Sequence, residues 1–136
     1  MNEQQVQEKY IEMKMLQEKV KEMQGQEQLA ESQLAELIST VQAMDDFKKA
    51  QRGTEILVPI SSGIFARAEL KDNSKLLVNV GAGVVVSKDI DGAKKLIDDQ
   101  LNELGQVHSK ISAQVQKLTM YAASIEQELR QMVSKE

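Results

Sequence analysis

Two stretches of heptad-spaced apolar residues, one toward each end of the chain, constrain this sequence more than any other feature. In the first, one row reads Val6, Met13, Val20, Glu27, Leu34, Val41, and the other reads Leu16, Met23, Ala30, Leu37, Met44, with Lys9 as the misfit at the start. A period of 3.5 sustained without proline predicts a long helix whose narrow seam needs a partner helix. Carried to about Gln51, that helix is roughly 75 Å long at its rise per residue. A free rod of that length would not hold itself together. The second seam is cleaner. One row reads Ile97, Leu104, Ile111, Leu118, Ile125, Met132; its companion reads Leu101, His108, Val115, Ala122, Leu129. Gly25 and Gly105 each cost about 1 kcal/mol against alanine, which weakens both helices locally without stopping them.

Between the seams the period changes. Glu55–Ile60, Ile64–Leu70, Lys75–Val80 and Val84–Lys88 are short runs rich in β-branched residues. Ser61-Ser62-Gly63, Asp72-Asn73-Ser74 and Gly81-Ala82-Gly83 separate them, which reads as two hairpins joined by a turn. Alternation places Ile64, Ala66, Ala68 and Leu70 on one face and Phe65, Arg67 and Glu69 on the other. Pro59 has no N–H to give a ladder, so it belongs at an edge or a break. Asp89 or Asp91 is the expected N-cap of the second helix. Seams of similar length flank one β segment with several reversals. The second helix should therefore return antiparallel along the first, with Met1 and Glu136 meeting at one end. The expected organisation is a single domain: residues 1–52 an N-terminal coiled-coil helix, 53–89 two hairpins, 90–136 a C-terminal coiled-coil helix.

Two hairpins alone are marginal in water. Ile56, Val58, Ile60, Leu76, Val78, Val80, Val84 and Val86 are too many apolar side chains to leave exposed, and burying each contributes roughly 1.5–3 kcal/mol. Open strand edges add to the drive. These eight residues are the expected oligomerisation surface, in a sheet or barrel shared between chains.

Composition closes off other classes. The net charge of −4 is made of interspersed acids and bases, and no basic stripe exists to meet phosphates, so no nucleic acid is expected. Cysteine is absent, which suits a reducing compartment. The first residues are polar, without the apolar core of a leader, and no apolar run approaches the roughly 20 residues of a membrane helix. A cytoplasmic protein without membrane contact is expected. Val80-Gly81-Ala82-Gly83 is followed by strand residues rather than a helix N-terminus, so it is a hairpin turn and not a phosphate loop. His108 is the sole histidine, which leaves no His-based metal cluster or Cys–His pair. At a core position it should set register, and its protonation should weaken the helix pair in acid. Asp45-Asp46 and Asp98-Asp99 are solvated faces. Neither an enzyme nor a cofactor or metal is expected.

Thr54–Asp89 resembles the signature region of α-type prefoldin subunits. The matching residues are LVPI at Leu57–Ile60 before a small-residue turn, AEL-KD across Ala68–Asp72, and VNVGAG at Val78–Gly83. Two hairpins rather than one mark the α type, and the plain, cysteine-free pattern looks more archaeal than eukaryotic. The resemblance implies a mainly α fold with a small β part: a long antiparallel two-helix coiled coil with two central β-hairpins that assemble into an intersubunit β-barrel. It further implies a hexamer of two α-type and four β-type subunits. Such assemblies hold unfolded client proteins without ATP and pass them to a group II chaperonin.

The candidate client-binding residues lie toward the chain ends: Val6, Tyr10, Met13, Met15 and Leu16, with Tyr121, Ile125, Leu129, Met132 and Val133. For Met13, Leu16, Leu118 and Ile125 closing the coiled coil is the simpler role. Tyr10, Met15 and Val133 fall outside the core rows and widen the apolar stripe, and methionine accepts many apolar shapes. The rival expectation is a structural or tethering coiled-coil oligomer with no chaperone activity.

Overall fold

The computed structural model describes residues 3–134. Helix α1 (Glu3–Lys49) leads into strands β1 (Glu55–Ser61), β2 (Ile64–Glu69), β3 (Lys75–Gly81) and β4 (Val84–Asp89), and helix α2 (Ile90–Ser134) follows directly. The strands form two separate antiparallel hairpins, β1 with β2 and β3 with β4. The chain divides into two compact units. One holds the residues up to Leu34 and from Glu103 onward; the other is Ala35–Asn102.

In the first unit the helices run antiparallel, because partners descend on α2 as they ascend on α1. Lys9 meets Glu128, Glu12 meets Tyr121, Glu27 meets Ser112 and Glu31 meets His108. The expected meeting of Met1 and Glu136 lies outside the described residues. Every seam residue of this unit is buried or half-buried, including the misfits Lys9 and Glu27. Both misfits are paired: Lys9 Nζ lies 3.0 Å from Glu128 Oε2, and Glu27 Oε2 accepts from Ser112 Oγ at 2.6 Å. The buried anchors are Ala30, Ile125 and Leu129, of which Ile125 is only 1% exposed. His108 Nε2 lies 3.2 Å from Glu31 Oε1, so this polar seam residue has a partner on the other helix.

The second unit is built on Met44, Ile90 and Ala93, with Val41, Phe47, Leu76, Val78 and Ile97 packed around them. Helix α1 stops at Lys49, two residues short of the expected Gln51. Its last carbonyls are satisfied from a distance: the Asn73 side-chain amide donates to Ala50 O at 2.6 Å and to Lys48 O at 3.4 Å. Gly53 takes a φ of 86°, open to glycine at no steric cost, and the chain reverses there. Its N–H donates to Leu70 O at 2.8 Å while Leu70 N–H donates to Thr54 O at 2.9 Å, closing the foot of the first hairpin over a buried Leu70. At the start of α2, Asp89 and not Asp91 is the cap, its Oδ1 accepting the Gly92 N–H at 2.7 Å. A Cβ at position 92 would fall 2.7 Å from that oxygen, so glycine permits the tight cap.

Lys94 Nζ sits 2.7 Å from Asp45 Oδ1, tying α2 to α1 in this unit. The hydrogen bond from Lys94 holds the Asp45 carboxyl below its ordinary 3.8, and the same bond raises Lys94 above its ordinary 10.5. A depressed carboxyl contributes stability that is present above the unfolded value and lost as pH falls through the folded one. Asp45→Asn is therefore expected to be less stable than the parent near neutral pH, with the gap closing below 3.8. For the raised lysine the gap closes again as pH climbs past 10.5. Thermal melts across pH read both limbs; because the pair is partly solvated, added salt should shrink the effect.

The hairpins are built alike. In the first, Ile56 faces Ala68, Val58 faces Ala66 and Pro59 faces Phe65, after which the register shifts between Pro59 and Ser61. In the second, Leu76 faces Lys88, Val78 faces Val86 and Asn79 faces Val85, and the register shifts between Asn79 and Gly81. Ile60 and Val80 are thus the extra residues of two matching bulges. Pro59 stands beside its bulge, in keeping with its missing N–H. In the second turn Ala82 and Gly83 have φ of 52° and 74°, the paired positive angles of a type I′ turn. An alanine there carries a Cβ into a left-handed backbone. Ala82→Gly is expected to stabilise the β3–β4 hairpin by about 0.5–1 kcal/mol, after allowing for the extra freedom of unfolded glycine. Slower amide exchange in both strands would show it.

Candidate functional site

The first unit carries an apolar groove of about 800 Å³ between the start of α1 and the end of α2. Val6, Tyr10, Ile11 and Met13 line it from one helix, and Leu129 and Val133 from the other. Seam geometry explains its shape. Val6, Met13 and Leu129 belong to the core rows and form the floor, whereas Tyr10, Ile11 and Val133 fall outside them and stand as walls. Tyr10 is 49% exposed and Val133 62% exposed, so the walls are wet although the floor is sheltered. The Lys14 ammonium lies 5.5 Å from the Tyr10 ring centroid and steadies one wall through a cation–π contact. At the rim, Arg130 pairs with Glu126 at 2.8 Å.

Of the ten residues expected to meet clients, Val6, Tyr10, Met13, Leu129 and Val133 come together in this groove. The others lie elsewhere. Ile125 is buried in the seam, and Leu16 and Met132 are half-buried there. Met15 is exposed but does not line the groove. Tyr121 is half exposed and its hydroxyl is engaged, donating to Glu12 Oε1 at 2.8 Å. That hydrogen bond, with the Glu12 charge, holds its phenol above the usual 10.0. Lys9 is held above 10.5 chiefly by its hydrogen bond to Glu128. Together Lys9, Glu12, Tyr121 and Glu128 stitch the helices just inside the groove. Ile11 was not among the expected residues. Its signal is its place beside Tyr10 and one turn before Met15, outside either row but exposed and apolar.

The hairpin unit exposes a second apolar surface. Val58, Ile60, Val80 and Val84 are exposed as an assembly surface requires. Ile56, Leu76, Val78 and Val86 are half-buried, and Leu76 and Val78 pack on the Met44–Ile90–Ala93 cluster of their own chain. The opposite face of the ladders supplies what those four do not. Leu57, Phe65, Leu77 and Val85 are exposed there, Leu77 to 78%. Strand alternation marks these residues, but alternation alone does not say which face the helices cover.

Among the described residues no group of three or more His, Asp or Glu side chains could hold a metal ion. No described helix is long and apolar enough to cross a membrane.

Comparison with known proteins bears on the family and the fold. The family model described as Prefoldin subunit matches residues 4–135. Prefoldin subunit alpha of Archaeoglobus fulgidus is 27% identical over 135 residues, covering 99% of this chain and 98% of that one. Prefoldin subunit alpha of Thermofilum pendens is 31% identical over 96 residues, covering 71% of this chain and 74% of that one. Among solved structures, the cryo-EM structure of filamentous PFD from Methanocaldococcus jannaschii superposes with a TM-score of 0.74 at 16% identity, covering 85% of this chain and 95% of that chain. That likeness is one of fold.

Proposed function

Because this chain belongs to the prefoldin family, a family of chaperone subunits, we propose that it is the α-type subunit of a cytoplasmic holdase that captures unfolded proteins without ATP. The single domain would assemble through its hairpins with β-type subunits, two α to four β, into a shared barrel. Its client would pass to a group II chaperonin. The observation that carries the reading is the groove of about 800 Å³ with wet apolar walls.

The energetics suit hand-over. One groove burying three or four client side chains gains only several kcal/mol gross, at roughly 1.5–3 kcal/mol per side chain, and association and ordering costs offset most of it. A single subunit should grip weakly. Several grooves around one cavity raise the effective concentration, so the hold is firm while each contact lets go quickly. Release then needs no nucleotide hydrolysis.

Native mass spectrometry with and without a β-type subunit, followed by an aggregation assay lacking ATP, tests the reading. The expected result is a defined hetero-oligomer that keeps a denatured protein from aggregating. An oligomer that offers no protection would instead mark a tethering protein.

A further inference from the structure

The interhelix seam of the first unit is interrupted by polar side chains that answer one another across it. Glu27 occupies a core position of α1 and His108 a core position of α2, and both are half-buried. Ser112 Oγ donates to Glu27 Oε2 at 2.6 Å, and one turn along, Glu31 Oε1 lies 3.2 Å from His108 Nε2. Each helix thus gives two residues, one turn apart, to a single polar layer.

We propose that this layer is a register lock, selecting one antiparallel stagger of α1 on α2 in the terminal half of the chain. The apolar rows repeat every heptad, so sliding one helix by a heptad re-pairs Val, Leu, Met and Ile with one another at little cost. The polar layer does not repeat. A slip one way sets Glu31 against Val115, and a slip the other way sets it against Leu101, both apolar seam positions. The first slip also sets half-buried His108 against Ile38, and the second sets half-buried Glu27 against Gly105, so each strands one half-buried polar side chain together with Glu31. A stranded polar group costs far more than a pairing of equals gains. Gly25 and Gly105 bracket the layer and loosen both helices there, which leaves the stagger to side-chain pairing. The lock works whether or not the groove takes clients; it decides which residues arrive opposite each other at the groove.

The chain has no cysteine of its own, so introduced pairs report the stagger cleanly. Glu12→Cys with Tyr121→Cys, bridged by a short bifunctional thiol reagent that spans the two lost side chains, marks the observed stagger, since the tips of those side chains meet at 2.8 Å. Tyr121→Cys with Lys19→Cys, or with Gln5→Cys, marks a slip of one heptad either way. In the otherwise unaltered full chain only the first pair should cross-link. When Glu27→Leu, Glu31→Leu, His108→Leu and Ser112→Leu are combined, the slipped cross-links should rise roughly tenfold. Should that variant lose its helical signal, an exchange decides. Glu31→His with His108→Glu keeps the pair and should cross-link only in the observed stagger, while Glu31→His alone should admit the slipped ones. Cross-links confined to positions 12 and 121 in Glu31→His and in any folded apolar variant would overturn the lock.

Discussion

Tyr10→Glu, Ile11→Glu and Val133→Glu introduced together are expected to abolish suppression of aggregation while leaving helix content and assembly unchanged. All three side chains are walls of the terminal groove and all are exposed, so charging them removes apolar surface without emptying the seam. Losing three such contacts at roughly 1.5–3 kcal/mol each corresponds to roughly 10- to 150-fold weaker capture per groove, even if two-thirds of the gross is offset. On the multivalent capture proposed above, the loss in the assembly should be steeper still. The control is Met15→Glu, which charges an equally exposed apolar residue outside the groove. It should retain protection. Equal damage from Met15→Glu would show that any greasy patch on the helices serves, and that the groove has no privileged part.

Ile125→Ala should give the largest loss of stability available from one substitution in the helix pair, about 3 kcal/mol. Ile125 is the one fully buried large side chain among the described residues, and a two-helix layer has little else to collapse into the space. The effect should be confined to the terminal half. Denaturant unfolding followed by helix signal should show an early transition, while the hairpin unit, with its own Met44–Ile90–Ala93 cluster, keeps assembling. A single transition displaced as a whole would mean that the two units melt together.

Sequence periodicity made the helices and their seams legible down to individual residues, because a heptad depends only on local spacing. Lys9, Glu27 and His108 fell on core positions as counted, and each is half-buried. What periodicity could not supply was partners far along the chain. The cap that ends α1 comes from Asn73, more than twenty residues downstream, and the side chain that steadies His108 comes from the other helix. The strands were legible for the same reason as the helices, and their faces were not. Leu76 and Val78 look as available as Val80 and Val84 in the sequence; only the docking of α1 and α2 on the hairpin decides that the first two are covered. Ile11, like Tyr10, Met15 and Val133, belongs to neither row, and only the groove it lines sets it apart.

The two hairpins shift register at equivalent steps, beside Ile60 and beside Val80, and turn through a glycine at the same distance beyond. The base of this protein is therefore written twice in one chain, like a word repeated with different spelling. Either copy can be overwritten with the other, turn and bulge together, and the ladder geometry should survive the edit. What changes is the set of side chains offered to a neighbour, so hybrid chains would separate the architecture of the base from its choice of company.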